Sequence, residues 1–330
     1  MTGLKLCATG CYLPDNVVDN NAFAAIVDTS DEWIRSRSGI VTRHIANGDT
    51  AWSMGVKAAQ NALETAGMDA EQVDLILVTS VTPDYITPST SCVIQQSLGA
   101  VNAACIDLNC ACAGFVYALD MARRYLACGD IKTVLIISTE LLSRIVNYED
   151  RSTCVLFGDG AGACLVQAGE GLFASHLGAD GAGMHLMFAK YPVSKSPFTN
   201  QPVIENEISQ SSEGNGTLFM GGREVYKFAT RVMPEAIEKS CEKLGISPAE
   251  LDWIVPHQAN IRIVQTAMQH LNLPMEKAWM SIDHCGNTSS ASIPIALDEL
   301  IKSGKLKRGD MLGIAGFGAG LTYGGAVFEY

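Results

Sequence analysis

Cys112, His257 and Asn287 bring one nucleophile and two hydrogen-bonding groups to a chain of 330 residues. Cys112 follows a mostly apolar run, Ala104 to Leu108, and stands at the start of a helical pattern that continues to Cys128. A thiol at such a junction meets free N–H groups and the positive end of the helix dipole. That setting lowers a thiol pKa and predicts a thiolate. The helix behind it carries only Asp120, Arg123 and Arg124 as charged residues, so it reads as buried, and a substrate must reach the thiol through a tunnel. By type alone a cysteine here is a small core residue; the rest of the chain argues for more. His257, in Pro256-His257-Gln258-Ala259-Asn260, follows a strand ending at Val255, at the carboxyl end where sites in α/β sheets collect. Asn287, between Gly286 and Thr288, is by default a turn residue. Trp33 and Arg37 stand four apart on a short helix begun by Thr29-Ser30-Asp31-Glu32. An indole beside a guanidinium is a surface for stacking and for phosphate.

The elements that must position these residues repeat. Leu75-Ile76-Leu77-Val78 after Val73-Asp74 answers to Trp253-Ile254-Val255 after Leu251-Asp252, and Ala118-Leu119-Asp120 answers to Ala296-Leu297-Asp298. Both matches share one offset, 178, as from Asp120 to Asp298. A constant offset implies a duplicated α/β chain, with halves 1–172 and 173–330 packed about a pseudo-twofold and a boundary near Gln167 to Leu172. The offset carries Cys112 onto Ser290, beside Asn287, so the cysteine loop and the asparagine loop are expected to face one pocket. Between about Gly178 and Gly222 the chain is rich in Gly, Ser, Asn and Pro and reads as a set of functional loops. Gly316-Phe317-Gly318-Ala319-Gly320 precedes a strand-like run and not a helix, so it fails as a dinucleotide cradle. It reads instead as a close-approach loop that donates N–H groups. Gly158-Asp159-Gly160-Ala161-Gly162 also precedes a strand and reads as packing.

The composition, 48% hydrophobic with 31 Gly, suffices for a large core. There is no apolar run of bilayer length. The N-terminus from Met1 to Cys7 lacks an export signal and reads as a first strand. Eleven cysteines, an odd number without paired metal spacing, are expected to be reduced thiols in a cytoplasm. Cys110 and Cys112 form one C-x-C with no second pair or nearby His, so a metal site is not expected. The net charge of −12 argues against nucleic acid.

Asn109-Cys110-Ala111-Cys112-Ala113-Gly114-Phe115, Val255-Pro256-His257-Gln258-Ala259-Asn260-Ile261-Arg262 and Gly286-Asn287-Thr288-Ser289-Ser290-Ala291-Ser292-Ile293-Pro294 resemble the three motifs of the β-ketoacyl-acyl-carrier-protein synthase III family. Thr29-Ser30-Asp31-Glu32-Trp33-Ile34 and Gly316-Phe317-Gly318-Ala319-Gly320 match as well, and the likeness spans the chain. It implies a thiolase-like duplicated αβαβα layered fold and a ping-pong Claisen condensation. Cys112 takes the acyl group from an acyl-CoA. A malonyl group on acyl carrier protein then loses CO2, and its enolate attacks the acyl-enzyme to give a 3-oxoacyl carrier product. His257 and Asn287 would donate to the malonyl thioester oxygen, and the backbone N–H groups of Cys112 and Ala319 would hold the acyl-transfer oxyanion. The resemblance places CoA on Trp33, Arg37, Arg151 and Asn260. It places the carrier on Lys227 and Arg262, with Arg231 added, while Gln269 and His270 stand where some members have lysine. It implies an acyl pocket at Thr87 and Phe317, a homodimer, and no cofactor besides the CoA thioester substrate. Thr87 replaces a bulky phenylalanine of acetyl-using members, which predicts room for a longer or branched primer in the partner's pocket. The alternatives are a synthase III-like enzyme of a polyketide or quinolone pathway, and a silent partner subunit. Hydroxymethylglutaryl-CoA synthase shares the fold, but its general-acid glutamate motif has no match here.

Overall fold

The computed structural model describes residues 3–191, 198 and 205–330. In chain order its strands are β1 (Gly3–Tyr12), β2 (Val17–Asp19), β3 (Thr42–His44), β4 (Leu75–Thr79), β5 (Ala104–Leu108), β6 (Thr133–Glu140), β7 (Gly160–Gly169), β8 (Phe173–Ala179), β9 (Met187–Phe188), β10 (Phe219–Met220), β11 (Trp253–Pro256), β12 (Met311–Gly318) and β13 (Thr322–Glu329). Its helices are α1 (Asn20–Ala24), α2 (Asp31–Ser38), α3 (Ala51–Ala66), α4 (Thr90–Leu98), α5 (Gly114–Cys128), α6 (Glu207–Gln210), α7 (Gly222–Leu244), α8 (Ile261–His270), α9 (Ile282–Cys285) and α10 (Ser292–Lys302). Residues Met1 and Thr2 of the expected first strand lie outside the described residues.

Two large sheets form, in the orders β1-β7-β6-β4-β5 and β11-β12-β13-β8, and β2 with β3 and β9 with β10 make two-stranded ribbons. Strand alternation shows the layering. Leu75 and Leu77 of β4 face a central core with Val134 and Ile136 of β6, while Ile76, Val78, Leu135 and Ile137 face the opposite side with α3 and α4. That double coverage is why β4 is a continuous apolar run and not an alternating one. The central core also holds Phe115 and Leu119 of α5, Ile293 and Leu297 of α10, and Leu312, Ile314 and Phe328 of the second sheet. On the far face of that sheet, Ala315, Phe317 and Val327 pack against α7 and α8. The order of layers is therefore helices, sheet, α5 with α10, sheet, helices: the expected αβαβα arrangement.

The 178 offset holds from the ends of α3 and α7 through β6 and β12, and not for the outer strands β1, β7, β8 and β13. It carries the start of β4 onto that of β11, β6 onto β12, the 3₁₀ turn Ala111–Ala113 onto Ser289–Ala291, and the start of α5 onto that of α10. Gly67 and Gly245 end α3 and α7 with φ of 62° and 70°, the left-handed conformation that glycine closes at no steric cost. The halves differ where β5 stands. Its place in the second sheet is reduced to a single bridge, Ile254 to Ala278, and the chain goes on into α9. In the loop-rich stretch after Gly178, the described residues form a 3₁₀ segment, Gly181–Leu186, then β9, α6 and β10; positions 192–197 and 199–204 lie outside the described residues.

Two hydrogen-bonded clasps lock the layers reciprocally. Buried Asp298 on α10 accepts from Thr9 Oγ1 of β1 at 2.8 Å and from Lys302 Nζ at 2.7 Å. Buried Asp120 on α5 accepts from Ser175 Oγ of β8 at 2.6 Å and from Arg124 Nε at 2.6 Å. Each central helix is thus held by the outermost strand of the other half. Hydrogen bonds to a buried carboxylate are among the stronger ones, and removing it leaves a buried hydroxyl unpaired. Asp298→Ala is expected to lower stability by about 3 kcal/mol in urea unfolding, and Thr9→Val by less, since the carboxylate keeps Lys302 as a partner.

Candidate active site

Cys112 lies in the 3₁₀ turn Ala111–Ala113, just ahead of α5. The turn presses onto the end of β12. A Cβ at Gly318 would stand 2.5 Å from the Cys112 nitrogen, and one at Gly316 3.2 Å from the Cys112 carbonyl oxygen. These glycines are required by close approach. They end a strand, however, and do not form the loop read from the sequence; only Ala319 and Gly320 lie beyond β12.

The offset turn Ser289–Ala291 lies opposite. Ala111 and Ser289, 178 apart, both have positive φ, 46° and 51°. Ser289 Oγ accepts a hydrogen bond from Cys112 Sγ at 3.2 Å. The Ser289 backbone N–H donates to Asn287 Oδ1 at 2.9 Å. That bond fixes the amide flip and leaves the Asn287 NH₂ group to face the cavity. Asn287 is itself pinned as a parallel bridge to Phe157, its N–H donating to Leu156 O at 2.9 Å and its carbonyl accepting from Gly158 N at 3.0 Å.

His257 leaves the end of β11 with its backbone N–H on Ala315 O at 2.7 Å. Its Nδ1 lies 2.7 Å from Ser292 Oγ, which also accepts from Gln258 N–H at 3.3 Å. In the tautomer that accepts the Ser292 hydroxyl at Nδ1, the ring proton sits on Nε2 and is free to donate. Burial pushes His257 down to about 3, so the ring is neutral. Phe317 packs edge-on to it, with centroids 5.3 Å apart.

The thiolate expected from the helix start is not what the structure gives. Burial pushes the Cys112 thiol up to about 12, the hydrogen bond with Ser289 opposes the rise, and the charge of Glu140 adds to it. The α-helix proper begins at Gly114, so Cys112 stands just ahead of its N-terminus, and burial outweighs the dipole there. Glu140, fully buried at the end of β6, is a site residue the sequence reading missed. It accepts from Ser290 Oγ at 2.6 Å, Ser290 N at 3.3 Å, Val81 N at 3.0 Å and Thr82 Oγ1 at 3.1 Å. A single acid closing an otherwise apolar strand was its only signal.

Two cavities meet at the sulfur. One, of about 360 Å³, is lined by Cys112, His257, Asn287, Phe317, Asn260, Trp33 and Arg37 among others. The other, of about 470 Å³, runs the opposite way along Leu142, Ile145, Phe188, Leu218 and Ala319. Cys112, Phe157 and Met187 belong to both. At the outer end of the first, the Arg37 and Arg151 guanidiniums lie 4.8 and 5.4 Å from the Trp33 ring centroid. Arg151 is also held by the Asp28 backbone carbonyl at 2.6 Å. Asn260 caps α8 through its oxygen, 2.8 Å from Arg262 N–H, which leaves its NH₂ toward the cavity.

Beyond the mouth lies an open basin lined by Arg37, Arg223, Tyr226, Lys227, Asn260 and Arg262. Arg262 ties α8 to α2 through Ser36 O at 2.7 Å. Arg223 was missed, although it stands four before Lys227 on α7 and so shares its face. Arg231 is outside the basin: it pairs with Glu235 at 3.7 Å and lies over Phe228. Thr87 lies in an exposed loop with Tyr85 and Ile86, and lines neither cavity of its own chain.

Two family models described as 3-oxoacyl-[acyl-carrier-protein (ACP)] synthase III match residues 106–181 and, for its C-terminal part, 241–330. A beta-ketoacyl-[acyl-carrier-protein] synthase III of Clostridium acetobutylicum is 43% identical over 100% of this chain and 99% of its own. The chain belongs to this family of acyl-transferring condensing enzymes. The crystal structure of 3-oxoacyl-[acyl-carrier-protein] synthase III from Aquifex aeolicus superposes with a TM-score of 0.91 at 42% identity, covering 99% of this chain and 100% of that one. The priming β-ketosynthase of the R1128 polyketide pathway superposes at 0.87 with 34% identity, covering 99% and 96%.

Two measurements test the electrostatics. Alkylation of Cys112 by iodoacetamide is expected to climb about tenfold per pH unit from 7 to 10 without a plateau; a plateau near neutrality would mean a resident thiolate. The His257 ring should not titrate in NMR spectra between pH 5 and 8. Its folded pKa lies below the unfolded 6.5, so its contribution to stability is complete above pH 6.5 and is lost as pH falls from there toward 3.

Proposed function

We propose that the condensation runs through a Cys112 acyl-enzyme formed from an acyl-CoA. The halves 1–172 and 173–330 then contribute the nucleophile and the two donors respectively. CoA lies along the first cavity, its adenine at Trp33 and Arg151, its phosphates near Arg37 and its pantetheine arm past Asn260. Burial disfavours a free thiolate beforehand, so Sγ attacks the thioester carbonyl carbon as a thiol, and the proton it loses as the bond forms passes to the departing CoA sulfur. The backbone N–H groups of Cys112 and Ala319 hold the oxyanion. Its collapse breaks the carbon–sulfur bond to CoA, which leaves as thiolate and takes up that proton. The acyl chain then rests in the second, largely apolar cavity, with Phe157 and Met187 at the corner between the two; Phe317, expected in the acyl pocket, lines only the first.

A malonyl carrier arm next enters the vacated first cavity. His257 Nε2–H and the Asn287 amide donate to its thioester oxygen. Negative charge grows there as CO2 departs, and neutral donors in a dry site stabilise it without reorganising. The enolate carbon attacks the acyl carbonyl, and Cys112 leaves as thiolate and is reprotonated. No bound metal or redox cofactor takes part. The single observation that carries this reading is the position of the sulfur: it joins two cavities, and both donors line only the one that opens past Trp33.

The product is a 3-oxoacyl carrier thioester that initiates fatty acid biosynthesis in the cytoplasm. The carrier docks on Arg37, Arg223, Lys227 and Arg262. A homodimer is supported by the partly exposed edge strand β5 and by exposed Tyr85, Ile86 and Val101. There Thr87 reaches the partner's acyl cavity and leaves space for a longer or branched primer. The likeness to the R1128 priming synthase keeps a second reading open, a polyketide-type condensation, which differs in the carrier and primer.

Intact-mass analysis with acyl-CoAs from acetyl to dodecanoyl is expected to show one acyl unit per chain, absent in Cys112→Ser. His257→Ala and Asn287→Ala should still load it but lose about a hundredfold in malonyl decarboxylation. Thr87→Phe should shift loading toward acetyl. Equal loading of Cys112→Ser would overturn the proposal, and loading from carrier thioesters alone would favour the second reading.

A further inference from the structure

Away from the two cavities, His284, Cys285 and Glu299 bring a nitrogen, a sulfur and an oxygen within 4.8 Å of one another. His284 Nε2 lies 2.8 Å from Glu299 Oε1, and Cys285 Sγ lies 3.9 Å from the same oxygen. His284 Nδ1 is held at 2.7 Å by Asp283 Oδ1. A His–Glu ion pair accounts for the first contact. It does not account for a thiol that is only 1% exposed and turned onto the same carboxylate oxygen.

The chemistry of the set fits one cation class. Imidazole, thiolate and carboxylate are the ligand types of zinc, with bonds of about 2.0–2.3 Å, and three protein ligands plus water complete a tetrahedron. Hard cations take oxygen and reject sulfur. Asp283 on Nδ1 is the arrangement that orients a metal-binding imidazole and aims Nε2 inward. The ligands need only small movements, since two unit bonds at a tetrahedral centre hold ligand atoms roughly 3.3–3.6 Å apart. Access is open: the side chains of His284 and Glu299 are 46% and 25% exposed. The backbone beneath is fixed, with Val41 N–H on Asp283 O at 2.8 Å and Thr42 Oγ1 on His284 O at 3.1 Å.

We propose that His284, Cys285 and Glu299 bind one divalent cation of the zinc class, clamping α9 to α10. Coordination replaces the Cys285 S–H bond with a metal–sulfur bond and the His284 Nε2–H bond with a metal–nitrogen bond, and both protons pass to solvent. The thiolate and carboxylate balance the two positive charges. Spacing could not mark this site, because two ligands are adjacent and the third lies fourteen residues on, across a helix junction.

The test is titration of the chelator-treated full chain with Co2+, a spectroscopic stand-in for Zn2+. One equivalent is expected to bind, with a thiolate-to-cobalt charge-transfer band that Zn2+ then removes. Cys285→Ser should abolish the band, His284→Gln and Glu299→Gln should weaken binding at least tenfold, and Cys112→Ala should leave it intact. Zn2+ at about 100 times the wild-type Kd should raise the melting temperature of the wild type and of Cys112→Ala by a few degrees, and that of His284→Gln by clearly less. Absence of a bound equivalent, a band that survives Cys285→Ser, or one lost in Cys112→Ala would each overturn the proposal. The readout is metal binding, so it stands or falls separately from the acyl-transfer reading.

Discussion

Two helix beginnings, those of α5 and α10, are buried face to face, and the site exists because that burial is satisfied in two different ways. N-terminal N–H groups cannot be left unpaired in a core. On one side the carboxylate of Glu140 takes the Ser290 N–H and hydroxyl. On the other side the position 178 further on, Gly318, carries no side chain at all, and the Cys112 turn fits against its bare backbone. Position 140 thus meets Ser290, and position 318 meets Cys112, which is the counterpart of Ser290. A carboxylate at both places would occupy the cysteine's hydrogen-bonding space. A glycine at both would leave the second turn without a partner for its N–H.

Much of this was legible in the chain. A constant offset needs no structure to be seen, and it carried the duplication and the facing of the two loops; the αβαβα layering came from the family resemblance. The reason is physical: apolar periodicity and helix ends are local, and local signals survive in a linear reading. The thiol's protonation was not legible. It depends on a helix starting at Gly114 and not at Cys112, and on burial by residues from the other half. Ser289 and Glu140 were missed for the same reason, since each acts across the pseudo-twofold on a group 150 or more residues away, and Ser292 because it reaches His257 from another layer of the same half. Arg223 was within reach, because its spacing to Lys227 is a local helical one.

The overall acidity of the chain and its cationic mouth serve different ranges. Charges farther apart than about 8 Å are screened at physiological salt. An acidic partner close to α7 and α8 therefore meets Arg37, Arg223, Lys227 and Arg262 and little of the remaining −12. Arg231 illustrates the same economy from the other side: a cation already tied to Glu235 offers a visitor little.

The meeting of the two cavities at one sulfur has a consequence for traffic. On the proposed reading, a thioester arm that has delivered its cargo lies in the same corridor that the next arm must use, while the cargo itself has turned aside into the other branch. Both arms need the same walls, those of His257, Asn287 and Asn260. Sequence of events then follows from the walls: the first visitor must back out before the second can enter, and the cargo waits in a siding. Anything that slows the first departure holds the whole queue, whatever the speed of the chemistry behind it.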